Sequence, residues 1–491
     1  MDNLVSVGAG LIVILALLLS NNKEGFGNAG RDSMPSESSM PRNTTKPESG
    51  LPLFLNFYPR FGADFILFDF IQKLKLNTLD PIWNGVYKQS NKRNLFKSKK
   101  LPPIILVPGL GATPIFARWN RDATQTVRSV DESGNFEKTD SWNCKQVQDT
   151  WVQIWYPDID GLANTCWSDN TKVYPSKDGK GIQNADGVRT TTQEFGSTDF
   201  QPDEYMGTLI SALEAVGYIQ GENLFGAGYD FRRIGDPLEI DAWCLSLTKL
   251  IERSAADQEN PAILISHDLG SVITNYFLVG ALQEWKDRYI KSFVTISGSF
   301  GGSSKALRAL LSGLEVPGDF NKTIKNFSGL SLMLPNPQVY GDNPLVHFNQ
   351  MSYTSYDIPE LVSSVSDDAA KIYKICKTVR DKSMKAPGVP VFIMCGDDLG
   401  TESSYKYKGS LLDNPDRNTP FYQIDLPTSQ KFSYPDYFVG DGTIPRFALE
   451  YPIFWTKTQK EPVTFQFFTG AEHTKILSMY EPIKYLLGII Q

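Results

Sequence analysis

At 491 residues with 41% hydrophobic and 21% charged residues, the chain can fill one large core or two to three modest ones, which excludes a disordered or collagen-like protein. Lys plus Arg is 48 against 55 for Asp plus Glu, a net charge of −7, so nothing in the bulk charge favours a nucleic-acid partner. Only five Cys and three His are present, which disfavours paired-cysteine zinc sites; no metal or cofactor is expected, and histidine chemistry must use His267, His347 or His473.

Residues 1–20 open the chain with an uncharged, apolar run from Leu4 to Ser20, the length of a signal-peptide core and just short of a comfortable bilayer span. An uncleaved single-pass anchor is favoured over a cleaved signal, because no basic residue precedes the run and no small-residue cleavage site follows it. A polar linker is expected over 21–50. An extension over 51–100 follows, with an aromatic run at Leu53–Tyr58 and a basic cluster at Lys92, Arg93, Lys97, Lys99 and Lys100. It reads as a membrane-proximal surface or as a packed extension with a solvated loop. Asp2 and Lys23 flank the apolar run in the sense that places the bulk in the cytoplasm, whereas sequons at Asn43, Asn321 and Asn326 favour a lumenal or extracellular bulk, or a secreted one if the segment is cleaved.

From Leu101 the texture changes. Buried strands are predicted at Pro103–Val107, Ala262–Ile265, Phe293–Ile296, Val391–Met394 and Val463–Phe468, each short, aliphatic or aromatic, and bounded mostly by Gly, Pro or Ser. Helix-sized segments such as Ile273–Trp285 lie between them, so the spacing predicts a parallel sheet wrapped by helices.

The second strand runs through Ser266-His267-Asp268-Leu269-Gly270 straight into a helical pattern, the setting of a nucleophile elbow. The residue such an elbow presents is usually Ser; here it is Asp268. An acid in a glycine-flanked loop, Gly440-Asp441-Gly442, and His473 after the last strand complete the order nucleophile, acid, histidine. Ser266 would end the strand, where a small residue packs, and is the weaker nucleophile candidate; His267 reads as a packing or turn residue, and His347 has no recognised partner.

With the motifs Ile105–Gly111, Tyr229-Asp230-Phe231-Arg232, Gln283–Ile290 and Ser299–Ser303, these loops resemble the lecithin:cholesterol acyltransferase family, lysosomal phospholipase A2 and the phospholipid:diacylglycerol acyltransferases included. The resemblance implies an α/β-hydrolase fold over 101–491 with a lid insertion at about 118–200 and a cap at about 305–390. It puts the nucleophile position on Asp268, the triad acid on Asp441, the base on His473 and the oxyanion-hole amides on Leu110 and Leu269. It also implies a lid disulfide between Cys144 and Cys166, against two unlinked thiols, and a lid that meets phospholipid membranes through Trp151 and Trp155. Such a disulfide would favour the lumenal or extracellular side. Cys244, Cys376 and Cys395 read as buried free thiols.

The implied reaction moves an acyl chain from a phospholipid donor to a sterol, a diacylglycerol or water. Asp268 alters it: carboxylate attack on an ester would give an acyl anhydride, and two carboxylates beside His473 should hold it as imidazolium, which is no base. Three readings follow. The chain is a lipid acyltransferase or phospholipase with reduced or altered activity; or an inactive pseudoenzyme that binds lipid at a membrane; or, with fold precedent alone, an aspartate-nucleophile hydrolase of alkyl substrates.

Overall fold

Four of the five short apolar runs become strands buried on both faces, whereas Val463–Thr469, expected to be buried, is the edge strand and is only partly covered. Ile104–Val107 and Ala262–His267 are buried at every residue, and Ile290–Ile296 at all but one, as a parallel sheet covered on both sides requires. The computed structural model describes residues 100–120, 147–155, 165–202, 204–314, 320–348, 351–402, 404–407 and 439–490. Residues 1–99, with the expected anchor, linker and extension, and Cys144 lie outside the described residues. Among the described residues, no helix is long and apolar enough to cross a membrane.

Six strands pair in parallel in the spatial order Val463–Thr469, Val391–Asp397, Ile290–Ile296, Ala262–His267, Ile104–Val107, Leu224–Gly226. The chain moves from Ile104–Val107 outward to Leu224–Gly226, then returns to the opposite side of Ile104–Val107 and continues the other way. Ile104–Val107 and Ala262–His267 therefore flank a topological switch point, where the loops at the strand ends splay and leave a crevice. Leu110 follows one of these strands and Asp268 the other.

The crossover helix Pro237–Gln258 shows how local chemistry sets the elements. Asp236 caps it by accepting from the backbone N–H groups of Leu238 and Glu239, Pro237 opens its first turn, and Ile240, Trp243, Leu247, Leu250 and Ile251 form its buried stripe. The single helix expected over Ile273–Trp285 is instead two, Leu269–Gly280 and Gln283–Tyr289, because Ala281 and Leu282 are extended.

A second sheet is antiparallel, with Ile115–Asn120 between Val147–Trp155 and Val188–Thr192. It corrects the expectation that Trp155 faces a lipid surface. Trp155 is 3% exposed, donates its indole N–H to the Gly111 carbonyl at 2.7 Å, and packs among Trp167, Phe231, Phe320 and Phe327. An indole whose only polar atom is satisfied inside has no reason to remain at the surface. Trp151, on the same strand, is 44% exposed, with the Arg118 guanidinium 4.8 Å above its ring.

Of the three sequons, Asn43 lies outside the described residues. The side-chain amide nitrogens of Asn321 and Asn326, where a glycan would attach, donate to the carbonyls of Leu314 and Val173. Cys166 is disulfide-bonded. Cys244, Cys376 and Cys395 are free, with Cys244 half-buried rather than buried.

Candidate active site

Asp268 stands between the last residue of the strand Ala262–His267 and the first turn of the helix Leu269–Gly280, at φ 51° and ψ −124°. An L-residue pays roughly 1–3 kcal/mol for such a backbone, and the surrounding fold holds it there. The strained turn lifts the carboxylate over the helix N-terminus, whose partial positive charge favours an anion. Gly109 makes room from the loop after the adjacent strand Ile104–Val107: a Cβ on it would lie 2.9 Å from the Asp268 Cβ.

The three residues expected to form a triad come together. One Asp268 oxygen, Oδ1, faces His473 Nε2 at 3.5 Å, an ion-pair separation rather than a hydrogen bond. On the other side His473 Nδ1 lies 2.7 Å from Asp441 Oδ2, while Asp441 Oδ1 accepts the backbone N–H groups of Thr443 and Ile444 at 2.9 and 2.7 Å. Asp441 reaches this position because Val439–Gly440 pairs with Leu399–Gly400, just past the end of the strand Val391–Asp397. Gly396 permits the closeness, since a Cβ there would lie 1.9 Å from the Ala471 carbonyl oxygen and 3.0 Å from the Asp441 Cβ.

Asp268's second oxygen is the unexpected part. Oδ2 accepts the backbone N–H of Leu110 at 3.0 Å, and the nearby Leu269 backbone adds to the groups that favour the charged carboxylate. These are the two amides expected to hold a reacting oxyanion. The carboxylate thus reaches both toward His473 and onto the Leu110 amide.

All three groups are buried, so their charges interact strongly. Burial alone would lower the His473 pKa, but Asp441 and Asp268 outweigh it and raise it to about 10. Burial would likewise raise the Asp268 and Asp441 carboxyls, but His473 holds both below the ordinary carboxylate range. The site at neutral pH is an imidazolium between two carboxylates, as the charge arithmetic of the sequence predicts.

The remaining candidates fall outside this line. Ser266 is fully buried, with its hydroxyl 2.8 Å from that of Ser271 and directed into the packing. His347 pairs with the Ser352 hydroxyl at 2.8 Å. The Tyr229–Arg232 motif is a scaffold. Arg232, fully buried, grips Asp230 through two nitrogens and reaches Thr171 and Asn184, and the Tyr229 hydroxyl donates to the Pro108 carbonyl beside the Leu110 loop. Among the described residues no cluster of His, Cys, Asp and Glu could hold a metal ion. Sequence reasoning missed Tyr205, whose hydroxyl bonds both Gly109 N–H and His267; it lies in a helix without a recognisable motif, so no sequence signal marks it.

A parallel sheet, a strained strand-to-helix turn and a carboxylate, imidazole and acid at the strand ends make an α/β fold with the layout of a nucleophile elbow, with Asp where such an elbow usually presents Ser. The lecithin:cholesterol acyltransferase family model matches residues 148–359. The chain is homologous to the lysosomal phospholipase A and acyltransferase of Homo sapiens, 26% identical over 409 residues that span 79% of this chain and 90% of that protein. Lecithin-cholesterol acyltransferase-like 1 of Arabidopsis thaliana is 28% identical over 342 residues, 64% of this chain and 78% of that one. Phosphatidylcholine-sterol acyltransferase of Mus musculus is 25% identical over 437 residues, 85% and 92%. Among solved structures, the Tle4-Tli4 complex aligns with a TM-score of 0.44 and 13% identity, over 80% of this chain and 98% of that one.

Proposed function

We propose that this protein is a lipid acyltransferase or phospholipase of the lecithin:cholesterol acyltransferase type, moving an acyl chain from a phospholipid to an alcohol or water, with its turnover held down by Asp268. The observation that carries this reading is the line Asp268, His473, Asp441 at the strand ends, with the Leu110 amide on the first of the three. In a serine enzyme of this design His473 would take the hydroxyl proton and the two amides would hold the oxyanion. Here His473 already carries its proton and the Leu110 amide already holds a carboxylate. The insertions at about 118–200 and 305–390 act as lid and cap, Trp151 meets the membrane surface, and the N-terminal segment anchors the chain with its catalytic domain on the lumenal or extracellular face.

The Leu110 hydrogen bond to Asp268 favours a second reading, a membrane-associated lipid-binding pseudoenzyme. Incubating the native protein with acyl-labelled phosphatidylcholine vesicles separates the two. Slow release or transfer of label that disappears in His473→Ala supports the enzyme. Vesicle binding with no turnover above buffer supports the pseudoenzyme, and neither binding nor turnover contradicts both.

A further inference from the structure

A second histidine touches the site without belonging to the triad. His267, the last residue of the elbow strand, is 3% exposed. Its Nε2 lies 2.9 Å from the backbone carbonyl oxygen of His473, and its Nδ1 2.6 Å from the Tyr205 hydroxyl. That hydroxyl in turn accepts the backbone N–H of Gly109 at 2.8 Å.

Counting hydrogens fixes the direction of every link. A carbonyl oxygen only accepts, so His267 Nε2 carries a proton. Burial, and after it the charge of His473, push the His267 pKa down to about 4, so the ring is neutral and Nδ1 is bare. Burial also keeps the Tyr205 phenol un-ionised by raising its pKa well above the ordinary 10. Tyr205 O–H must therefore donate to Nδ1, and its oxygen is left to receive Gly109 N–H. The chain runs one way, from Gly109 N–H through Tyr205 and His267 to the His473 carbonyl.

Its ends are informative. Gly109 immediately precedes Leu110, whose amide meets the Asp268 carboxylate, and His473 carries the imidazole on the other side of it. We propose that Tyr205 and His267 form a positioning relay that fixes the loop bearing the Leu110 amide relative to the loop bearing the His473 imidazole. For acyl transfer this rests on the function proposed above, because amide and imidazole must address one reacting carbonyl, and a displacement of about 1 Å can cost on the order of 100-fold in rate. The geometric relay itself does not depend on that function. Packing alone would leave His267 satisfied but would not couple the two loops.

With three histidines in the chain, selective 15N-histidine labelling resolves the relay in the intact protein. The expected native spectrum has His267 as the neutral Nε2–H tautomer and His473 doubly protonated. Tyr205→Phe removes the middle link, and should shift both the Leu110 amide, followed in uniformly 15N-labelled protein, and the His473 ring resonances while the protein stays folded. If Asp268→Ser is active, adding Tyr205→Phe to it should lower kcat about 10- to 100-fold with KM little changed. Adding His267→Gln, whose amide offers both an acceptor and a donor, should keep more activity than adding His267→Ala. An Nδ1–H or doubly protonated His267 at neutral pH would overturn the relay. So would a folded Tyr205→Phe protein with its Leu110 and His473 signals unmoved. These readouts hold even if Asp268→Ser is inactive, an outcome that counts against the proposed function alone.

Discussion

A carboxylate at position 268 has two oxygens where a serine has one, and the site gives each a different task. Oδ1 faces the imidazolium and Oδ2 takes the Leu110 amide. The negative charge is thereby stabilised from two sides, and two groups that acyl transfer needs free, the His473 base and the Leu110 oxyanion donor, are both committed. Removing the central cation alone should be costly. His473→Ala leaves Asp268 and Asp441 buried without their shared partner, so a loss of about 3–5 kcal/mol is expected in denaturant unfolding. Asp268→Asn added to His473→Ala should recover part of it, because one of the two orphaned charges is gone. The pH dependence has a definite sign. The folded His473 pKa, about 10, lies above its ordinary unfolded value of ~6.5, so this contribution is full below pH ~6.5 and is lost as pH rises toward 10. Asp268 and Asp441 are lowered, so their contribution is full above the unfolded carboxyl pKa of ~3.9 and is lost on acidification. Stability against pH should therefore fall on both sides, and the alkaline fall should be shallower in Asp268→Ser, which removes one of the two charges that raise His473.

Elements were legible in the sequence where burial on both faces wrote a continuous apolar run. All five predicted strands are present; the first begins one residue later, at Ile104, and the other four are extended by one to three residues. The edge strand Leu224–Gly226 was not predicted, because three residues give no periodicity to read. The break after Gly280 was hidden by apolar residues that continue a helical pattern through Ala281 and Leu282. Trp155 was misplaced for a related reason: a tryptophan in a loop-rich insertion reads alike whether it meets lipid or a core, and only the Gly111 carbonyl and the rings of Phe231, Phe320 and Phe327 distinguish the cases. The two tryptophans of one strand should accordingly behave oppositely. Trp155→Ala should cost about 3–5 kcal/mol in unfolding experiments, the usual range for a buried Trp or Phe truncation. Trp151→Ala should change stability by no more than about 0.5 kcal/mol while weakening sedimentation with phosphatidylcholine vesicles. Equal stability losses would place both side chains in the core.

On the scale of the whole molecule, the sheet explains why residues so far apart in sequence meet. Leu110 and Asp268 leave adjacent strands at the switch point, while Asp441 and His473 approach from the strands beyond. The chain order of nucleophile, acid and histidine was readable, since it depends on loops at strand ends. The destination of the second Asp268 oxygen was not, because it depends on a backbone amide 158 residues away. Nor was the bond from His267 to the His473 carbonyl, which joins residues 206 apart without leaving a motif. The central claim is that an otherwise assembled acyl-transfer site is closed by one carboxylate. The direct measurement is the rate of fatty-acid release from phosphatidylcholine vesicles by Asp268→Ser, the native protein and Asp268→Ser/His473→Ala, each with its folding verified. The account predicts that Asp268→Ser exceeds the native rate at least about 100-fold, the lower end of what a positioned base supplies, and that His473→Ala abolishes the gain. A folded Asp268→Ser protein no faster than the native one would contradict it.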